Sequence, residues 1–177
     1  MKFTELKLLG CYLIELEKIQ DERGFFARSW CHKEFTQHSL NPNLVQCNIS
    51  FNRKQGTIRG LHYQTRLHEE AKLVRCTMGG IFDAIIDLRP DSSTFKQWVA
   101  VELTSENRKM LYIAEGIAHG FQTLEDNTEV FYQMSEFYYP ESATGVRWND
   151  PAFGIEWPFT QEVIISDKDQ SYPDFCL

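Results

Sequence analysis

The sequence contains no CxxC pair, no apolar run long enough to span a membrane, and fewer basic than acidic residues. Its five cysteines (Cys11, Cys31, Cys47, Cys76 and Cys176) are odd in number and scattered. That pattern argues against a disulfide framework and fits reduced thiols in a cytoplasmic protein. Leu8-Leu9-Gly10-Cys11 has the look of a lipoprotein cleavage site, but Lys2, Glu5 and Lys7 interrupt any apolar stretch before it, so no signal peptide is expected. With no membrane-length segment, a soluble protein without a membrane partner is expected. Lys and Arg number 18 against 25 Asp and Glu, for a net charge of -7. This balance disfavours nucleic acid as a partner, which calls for a basic surface. A small anionic ligand remains compatible, because a few convergent basic side chains can form a positive pocket on an acidic protein. Glycine and proline are modest, at 10 and 6, and no repeat, linker or low-complexity tract interrupts the chain. What is present in quantity is aromatic: 14% of 177 residues, including 13 Phe. Such a chain fits one domain, residues 1–177, with a sizeable core and a β-rich character.

Apolar runs of strand length recur between turn signals over residues 45–51, 57–64, 72–78, 80–88, 97–103, 109–113, 119–124 and 128–137. Helical patterns of 10–15 residues are missing between them. The spacing therefore predicts an all-β sandwich or barrel and disfavours a parallel α/β sheet. Residues 11–19 begin as a strand, and Asp21-Glu22-Arg23-Gly24 reads as a turn into Phe25-Phe26. The one helix expected before the core covers Ser29–Leu40, with Ser29 as its cap. The C-terminal part, with Trp148-Asn149-Asp150-Pro151 and Ile155-Glu156-Trp157-Pro158, reads as irregular chain whose aromatics anchor it to the barrel. Asp169 is then expected on a segment folded back toward a site elsewhere.

The chemistry concentrates in Gly60-Leu61-His62-Tyr63-Gln64, Lys72, and His119 within Glu115-Gly116-Ile117-Ala118-His119-Gly120-Phe121, with Tyr132 and Asp169 further on. A general base works best near the operating pH, and an ordinary imidazole at about 6.5 meets that condition. Asp169 is suited to orient the ring of His62 and to stabilise its imidazolium. An enolate oxygen formed beside a ketone needs a fixed positive partner, which Lys72 supplies. Tyr132, a phenol of ordinary pKa about 10, is a reluctant base and so a proton donor to the opposite face. These parts suffice for an epimerase or isomerase. Taken singly, each has a plainer role: a hydrogen-bonded core histidine, a snorkelling lysine, an amphipathic core tyrosine. Arg23 and Arg59, with Gln46 and Asn48, are candidates for holding a diphosphate or nucleotide. Strict alternation would put Arg59 and His62 on opposite faces, so a bulge or sharp twist is expected near Gly60.

Two histidines on strands also resemble the metal sites of cupin barrels. Here, however, the segment reads His-x-Gln in place of His-x-His, and Glu69 and Glu70 are poorly placed to ligate. Three or more ligands cannot be assembled, so no metal is expected. Because an epimerase's hydrogen leaves and returns as a proton, no redox cofactor is expected either.

The runs Asp21–Phe26, Ile58–Gln64, Ala71–Arg75, Phe82–Arg89, Gly116–Phe121 and Trp148–Pro151, in order along nearly the whole chain, resemble dTDP-4-dehydrorhamnose 3,5-epimerase. The resemblance implies a cupin-type β jelly roll with a few short helices, a homodimer, no metal, and work on a nucleotide-diphospho-sugar during activated-deoxysugar synthesis. It makes His62 the base with Asp169 as partner, Tyr132 the acid, and Lys72 the enolate stabiliser. Gln46, Asn48, Arg59 and His119 match substrate-contacting positions. Arg23 matches a residue contributed across the dimer, Phe26 and Tyr138 match aromatics that hold the base, and Lys168 lies in a matching Ser-Asp-Lys-Asp run.

Two departures bear on the nucleotide. Arg28 and Ala143 stand where the family usually has acidic residues near the nucleoside. A carboxylate accepts from a thymine imide N–H, whereas arginine only donates. A CDP-sugar is therefore an alternative substrate, with Arg28 facing phosphate or solvent as the plainer reading. A smaller departure is Ala114, where proline is common. Inversion at only C3 or only C5 is a further alternative. So are two rivals from other classes: a metal-dependent cupin oxygenase or isomerase, and a noncatalytic sugar-nucleotide binder.

Overall fold

The computed structural model describes residues 1–176. The chain begins with β1 (Lys2–Glu5), β2 (Tyr12–Glu15), β3 (Ile19–Asp21), β4 (Gly24–Phe26) and α1 (His32–Gln37). The central strands follow as β5 (Gln46–Asn52), β6 (Ile58–Gln64), β7 (Lys72–Met78), β8 (Gly80–Asp87) and β9 (Trp98–Thr104). The last elements are β10 (Met110–Ile113), β11 (Ile117–Thr123), β12 (Thr128–Met134), β13 (Ala143–Gly145) and α2 (Asp167–Gln170). All eight expected strand runs from residue 45 onward appear within two residues of their predicted starts. Bulky apolar runs punctuated by turn chemistry leave little choice but extended chain.

The strands form two antiparallel sheets, β1-β2-β10-β7-β12-β5 and β13-β6-β11-β8-β9, with β3-β4 as a separate hairpin. The hairpin turns where Asp21–Gly24 predicts it. The inner faces of the two sheets meet in one core. Val74, Leu111, Ile113 and Val130 come from the first sheet; Ile81, Ile85, Leu103, Ile117 and Phe121 come from the second. Each sheet is also covered outside. Phe35 of α1 and Leu40 pack on Ile14, Leu73, Met110 and Tyr112. Val146, Phe153 and Trp157 from the C-terminal segment pack on Ile58, Leu61, Ala84, Ile86 and Ala118. Burial on both faces explains why β11 is buried at every position and lacks clean polar–apolar alternation.

The C-terminal segment is anchored as its tryptophans suggest: Trp157 packs in the cluster with Ile58, Leu61 and Ala84 of the sheet, and its indole N–H donates to the Trp148 carbonyl at 2.7 Å. The helix differs from expectation. It starts at His32 rather than Ser29, and its N-cap Cys31 makes no side-chain capping bond. Cys31 is extended, and Trp30 before it packs against the α1 cluster.

The end of β8 carries a buried polar knot. Asp87 accepts from the Arg89 N–H at 3.0 Å, Arg89 Nη2 at 2.7 Å, and the Ser92 and Thr94 hydroxyls at 2.6 Å each. Arg89 also donates to the Leu9 carbonyl at 2.9 Å, tying the N-terminal turn to the sheet. Burial pushes the Asp87 carboxyl up, but these donors outweigh it and bring its pKa down to about 2. Against an ordinary unfolded value near 3.9, the carboxylate contributes about 2–3 kcal/mol, present above pH ~4 and lost as pH falls through about 2. Asp87→Asn is therefore expected to unfold at lower urea at pH 7, with the gap to the parent narrowing toward pH 3. An equal gap at both pH values would contradict this.

Candidate active site

Between the two sheets opens a cavity of about 680 Å³ whose walls hold most of the chemically singled-out residues. β6 and β11 present Arg59, His62 and His119 from the five-stranded sheet. β5, β7 and β12 present Gln46, Asn48, Lys72 and Tyr132 from the six-stranded sheet. Tyr138 and Ala143 stand at the rim, and Lys168 and Asp169 enter from α2.

Arg59 and His62 reach one cavity because β6 is bulged. His119 pairs with His62 and Phe121 with Arg59, so Gly60 and Leu61 together oppose Gly120 alone. The extra residue reverses the alternation, as the Arg59–His62 conflict requires. Leu61 turns away into the outer cluster beneath Trp157. The two backbones approach so closely that only glycine fits. A Cβ on Gly60, at φ +107°, would lie 2.6 Å from the His119 carbonyl, and one on Gly120 would lie 2.7 Å from the Arg59 carbonyl.

His62 Nε2 lies 2.7 Å from Asp169 Oδ1, and the second Asp169 oxygen accepts the Gly60 N–H at 3.1 Å. Ser166 caps α2 by accepting from the Asp169 N–H, which fixes the carboxylate's approach. Burial raises the Asp169 pKa, but the hydrogen bond from His62, with those from Gly60 and Ser166, outweighs it and holds the carboxyl below its ordinary range. A charged carboxylate opposite Nε2 requires the proton on Nε2, which leaves Nδ1 as the free lone pair. The half-exposed ring therefore offers a basic nitrogen, with its other nitrogen fixed from behind.

A second histidine–carboxylate pair, His119 Nε2 with Asp83 Oδ1 at 2.6 Å, sits deeper on β11 and β8. Arg59 is held by Asn52 through Nε at 2.7 Å. Lys72 Nζ donates to Glu70 Oε1 at 2.5 Å, and both side chains are more than nine-tenths buried. Tyr132 lies on the wall opposite His62. Burial pushes its phenol above the ordinary value, Arg59 draws it back in part, and Glu70 and Tyr138 add to the rise. The group is thus held in its protonated, donating form.

Three sequence-singled residues lie outside this cavity. Arg23 pairs with Asp21 on the exposed β3–β4 hairpin. Phe26 on the same hairpin is 72% exposed. Arg28 donates to Glu34 at 2.7 Å. The aromatic ring found beside His62 within the chain is instead Tyr172, in T-shaped contact at 6.3 Å. Asp83, Glu70 and Tyr172 were missed from sequence. An acidic residue inside the apolar run of β8 was the available signal for Asp83. The i, i+2 relation to Lys72 was the signal for Glu70, since an extended chain puts such residues on one face. Tyr172 lies in irregular chain and had no signal. Among the described residues, no three His, Cys, Asp or Glu side chains converge as a metal site needs. No helix there is long and apolar enough to cross a membrane.

A sequence profile described as dTDP-4-dehydrorhamnose 3,5-epimerase matches residues 5–176. A dTDP-4-dehydrorhamnose 3,5-epimerase of Sinorhizobium fredii is 40% identical over 176 residues, covering 99% of this chain and 90% of that protein. The crystal structure of a dTDP-4-dehydrorhamnose 3,5-epimerase from Elizabethkingia anophelis superposes with a TM-score of 0.96 at 39% identity, covering 99% of this chain and 96% of that one. A dTDP-6-deoxy-D-glucose-3,5-epimerase from Legionella pneumophila, in complex with dTDP-4-keto-L-rhamnose, superposes at 0.90 with 35% identity, covering 97% and 90%. The cupin-like all-β architecture expected from sequence is thus shared with these epimerases.

Proposed function

The chain belongs to the dTDP-4-dehydrorhamnose 3,5-epimerase family, and from that membership we propose that it inverts C3 and C5 of dTDP-4-keto-6-deoxyglucose by acid–base chemistry between two facing walls. It is an isomerase, specifically an epimerase of nucleotide-linked keto-deoxysugars. The observation that carries the residue assignment is the placement of His62 and Tyr132 on opposite sheets lining one cavity. The 4-ketone acidifies the hydrogens on C3 and C5. His62 Nδ1 takes one of them, and Asp169 stabilises the imidazolium that results. Negative charge moves to the ketone oxygen, where the Lys72 ammonium meets it in a water-poor setting. Tyr132 returns a proton from the far side; His62 then sheds its proton to solvent, the Tyr132 phenolate takes one up, and the reset pair repeats the sequence at the second carbon. Hydrogen leaves and returns as a proton, so this route calls on no redox group.

Arg59, His119, Gln46 and Asn48 are assigned to substrate contact, with Lys168 and Tyr138 at the entrance. Arg23 and Phe26 are assigned to a partner chain's site in a homodimer. Ile19 and Phe26, each 72% exposed on the hairpin, offer the apolar surface such docking needs. A cytoplasmic location belongs to the same reading, in keeping with five free thiols.

The nucleotide is assigned as dTDP. Of the two residues that favoured a CDP-sugar, Arg28 is engaged by Glu34 outside the cavity of its own chain, and Ala143 lines the cavity with a side chain that neither donates nor accepts a hydrogen bond. Calorimetric titration with dTDP and CDP is expected to give at least about tenfold tighter binding of dTDP, a difference of about 1.4 kcal/mol. Equal or tighter binding of CDP would overturn the assignment.

A further inference from the structure

Lys72 reaches the cavity already engaged. Its ammonium donates to Glu70 Oε1 at 2.5 Å, and the second Glu70 oxygen accepts the backbone N–H of Gln64 at 3.2 Å. Gln64 is itself immobilised. Its side-chain amide donates to the carbonyls of His68 at 2.7 Å and Phe137 at 3.1 Å, and accepts the Tyr139 N–H at 2.6 Å. The carboxylate is thus clamped by a strand whose side chain joins the two loops at the cavity mouth. An ammonium has three N–H donors, so one bond to Glu70 leaves two for a ligand. A lysine stem has four rotatable bonds, and with nothing to hold its tip the ammonium would sample many positions around the substrate.

We propose that Glu70 is a positioning residue for the epimerisation: its carboxylate, anchored on Gln64, fixes the Lys72 ammonium where the negative charge of the enolate develops. Glu70 does not touch the reacting atoms; it acts through Lys72. Two effects compete. The carboxylate weakens the field that Lys72 presents to the enolate, yet it also fixes the direction of a buried ammonium. The second dominates, because a catalytic group displaced by about 1 Å costs about 10²-fold in rate, more than partial screening does.

The inference rests on Lys72 acting at the ketone oxygen, and its test separates the two assignments. Steady-state rates with dTDP-4-keto-6-deoxyglucose would be measured for the parent, Glu70→Ala, Glu70→Gln, Lys72→Ala and the Glu70→Ala/Lys72→Ala double variant. Glu70→Ala is expected to lower kcat about 10²-fold, the scale of a misplaced catalytic group, with KM within about threefold of the parent. Glu70→Gln keeps an acceptor oxygen for Nζ and is expected to restore kcat to within about fivefold of the parent. In the Lys72→Ala background, Glu70→Ala should cost less than about twofold more, because the interaction it supports is already gone. Should the alanine variant fail to fold, Glu70→Met fills the volume without offering an acceptor. Parent-like kcat in Glu70→Ala, a loss that Gln does not relieve, or an undiminished loss without Lys72 would each overturn the role of Glu70. Parent-like kcat in Lys72→Ala would instead overturn the assignment of Lys72 itself.

Discussion

Replacing His62 with alanine is expected to slow hydrogen exchange at the sugar carbons by about 10²–10⁴-fold, the range for removing a positioned general base. The affinity for dTDP should stay within about threefold of the parent. The geometry gives both halves of that expectation. Asp169 and the bulge at Gly60 serve to present Nδ1 of His62 to the cavity. His119, the other imidazole on the same wall, is paired with buried Asp83 and its side chain is only 10% exposed, so its ring is far less open to a substrate. The ring of His62 is 44% exposed, so truncating it removes little packing and leaves the nucleotide-binding residues where they are. Exchange can be followed by NMR in D2O and affinity by titration with dTDP. Retention of most turnover would remove His62 from the role of base.

Tyr132→Phe is expected to separate two events that the parent couples. The ring keeps its packing against the inter-sheet core while the donor hydroxyl is lost. His62 can still remove a proton, so deuterium from solvent should still enter C3 or C5, but with the original configuration. Inverted product should fall by about 10²–10⁴-fold, the scale of a lost general acid. The raised phenol of Tyr132 matters to this argument. The donating form is the protonated one, so a pKa lifted by burial keeps the donor competent through neutral pH and beyond the ordinary phenol value of about 10. Parent-like inversion in the Phe variant would place the acid elsewhere.

The fold was legible in the chain from β5 to β12 because β8, β10 and β11, buried at nearly every position, read as apolar runs, and turn residues separate these and the half-buried strands around them. The bulge at Gly60 was legible for a different reason. Two residues of one function fell on opposite faces, and only an inserted residue reconciles them. Asp169 was legible as a returning group, although α2, which carries it, is a single turn with too few residues for a periodic signal. Helix α1 was read three residues too early because a serine cap is a local preference, and packing of Trp30 overrode it. Glu70 illustrates what a motif reading loses. Its position suits no metal site, while its spacing from Lys72 carries the information about its partner. Arg23 and Phe26 sit on a hairpin outside their own chain's cavity, and no reading of one chain can bring them to a site.

The claim beneath these assignments is that one group removes each hydrogen and a different group, across the cavity, supplies its replacement. Single-turnover conversion of dTDP-4-keto-6-deoxyglucose by the parent enzyme in D2O, analysed by NMR before any reverse reaction, tests it most directly. Solvent deuterium at both C3 and C5 of the inverted product is the predicted result, since what arrives comes from the opposite wall. Inverted product that retains its original hydrogen at either carbon would mean that one group carries the same proton across, and would contradict the account.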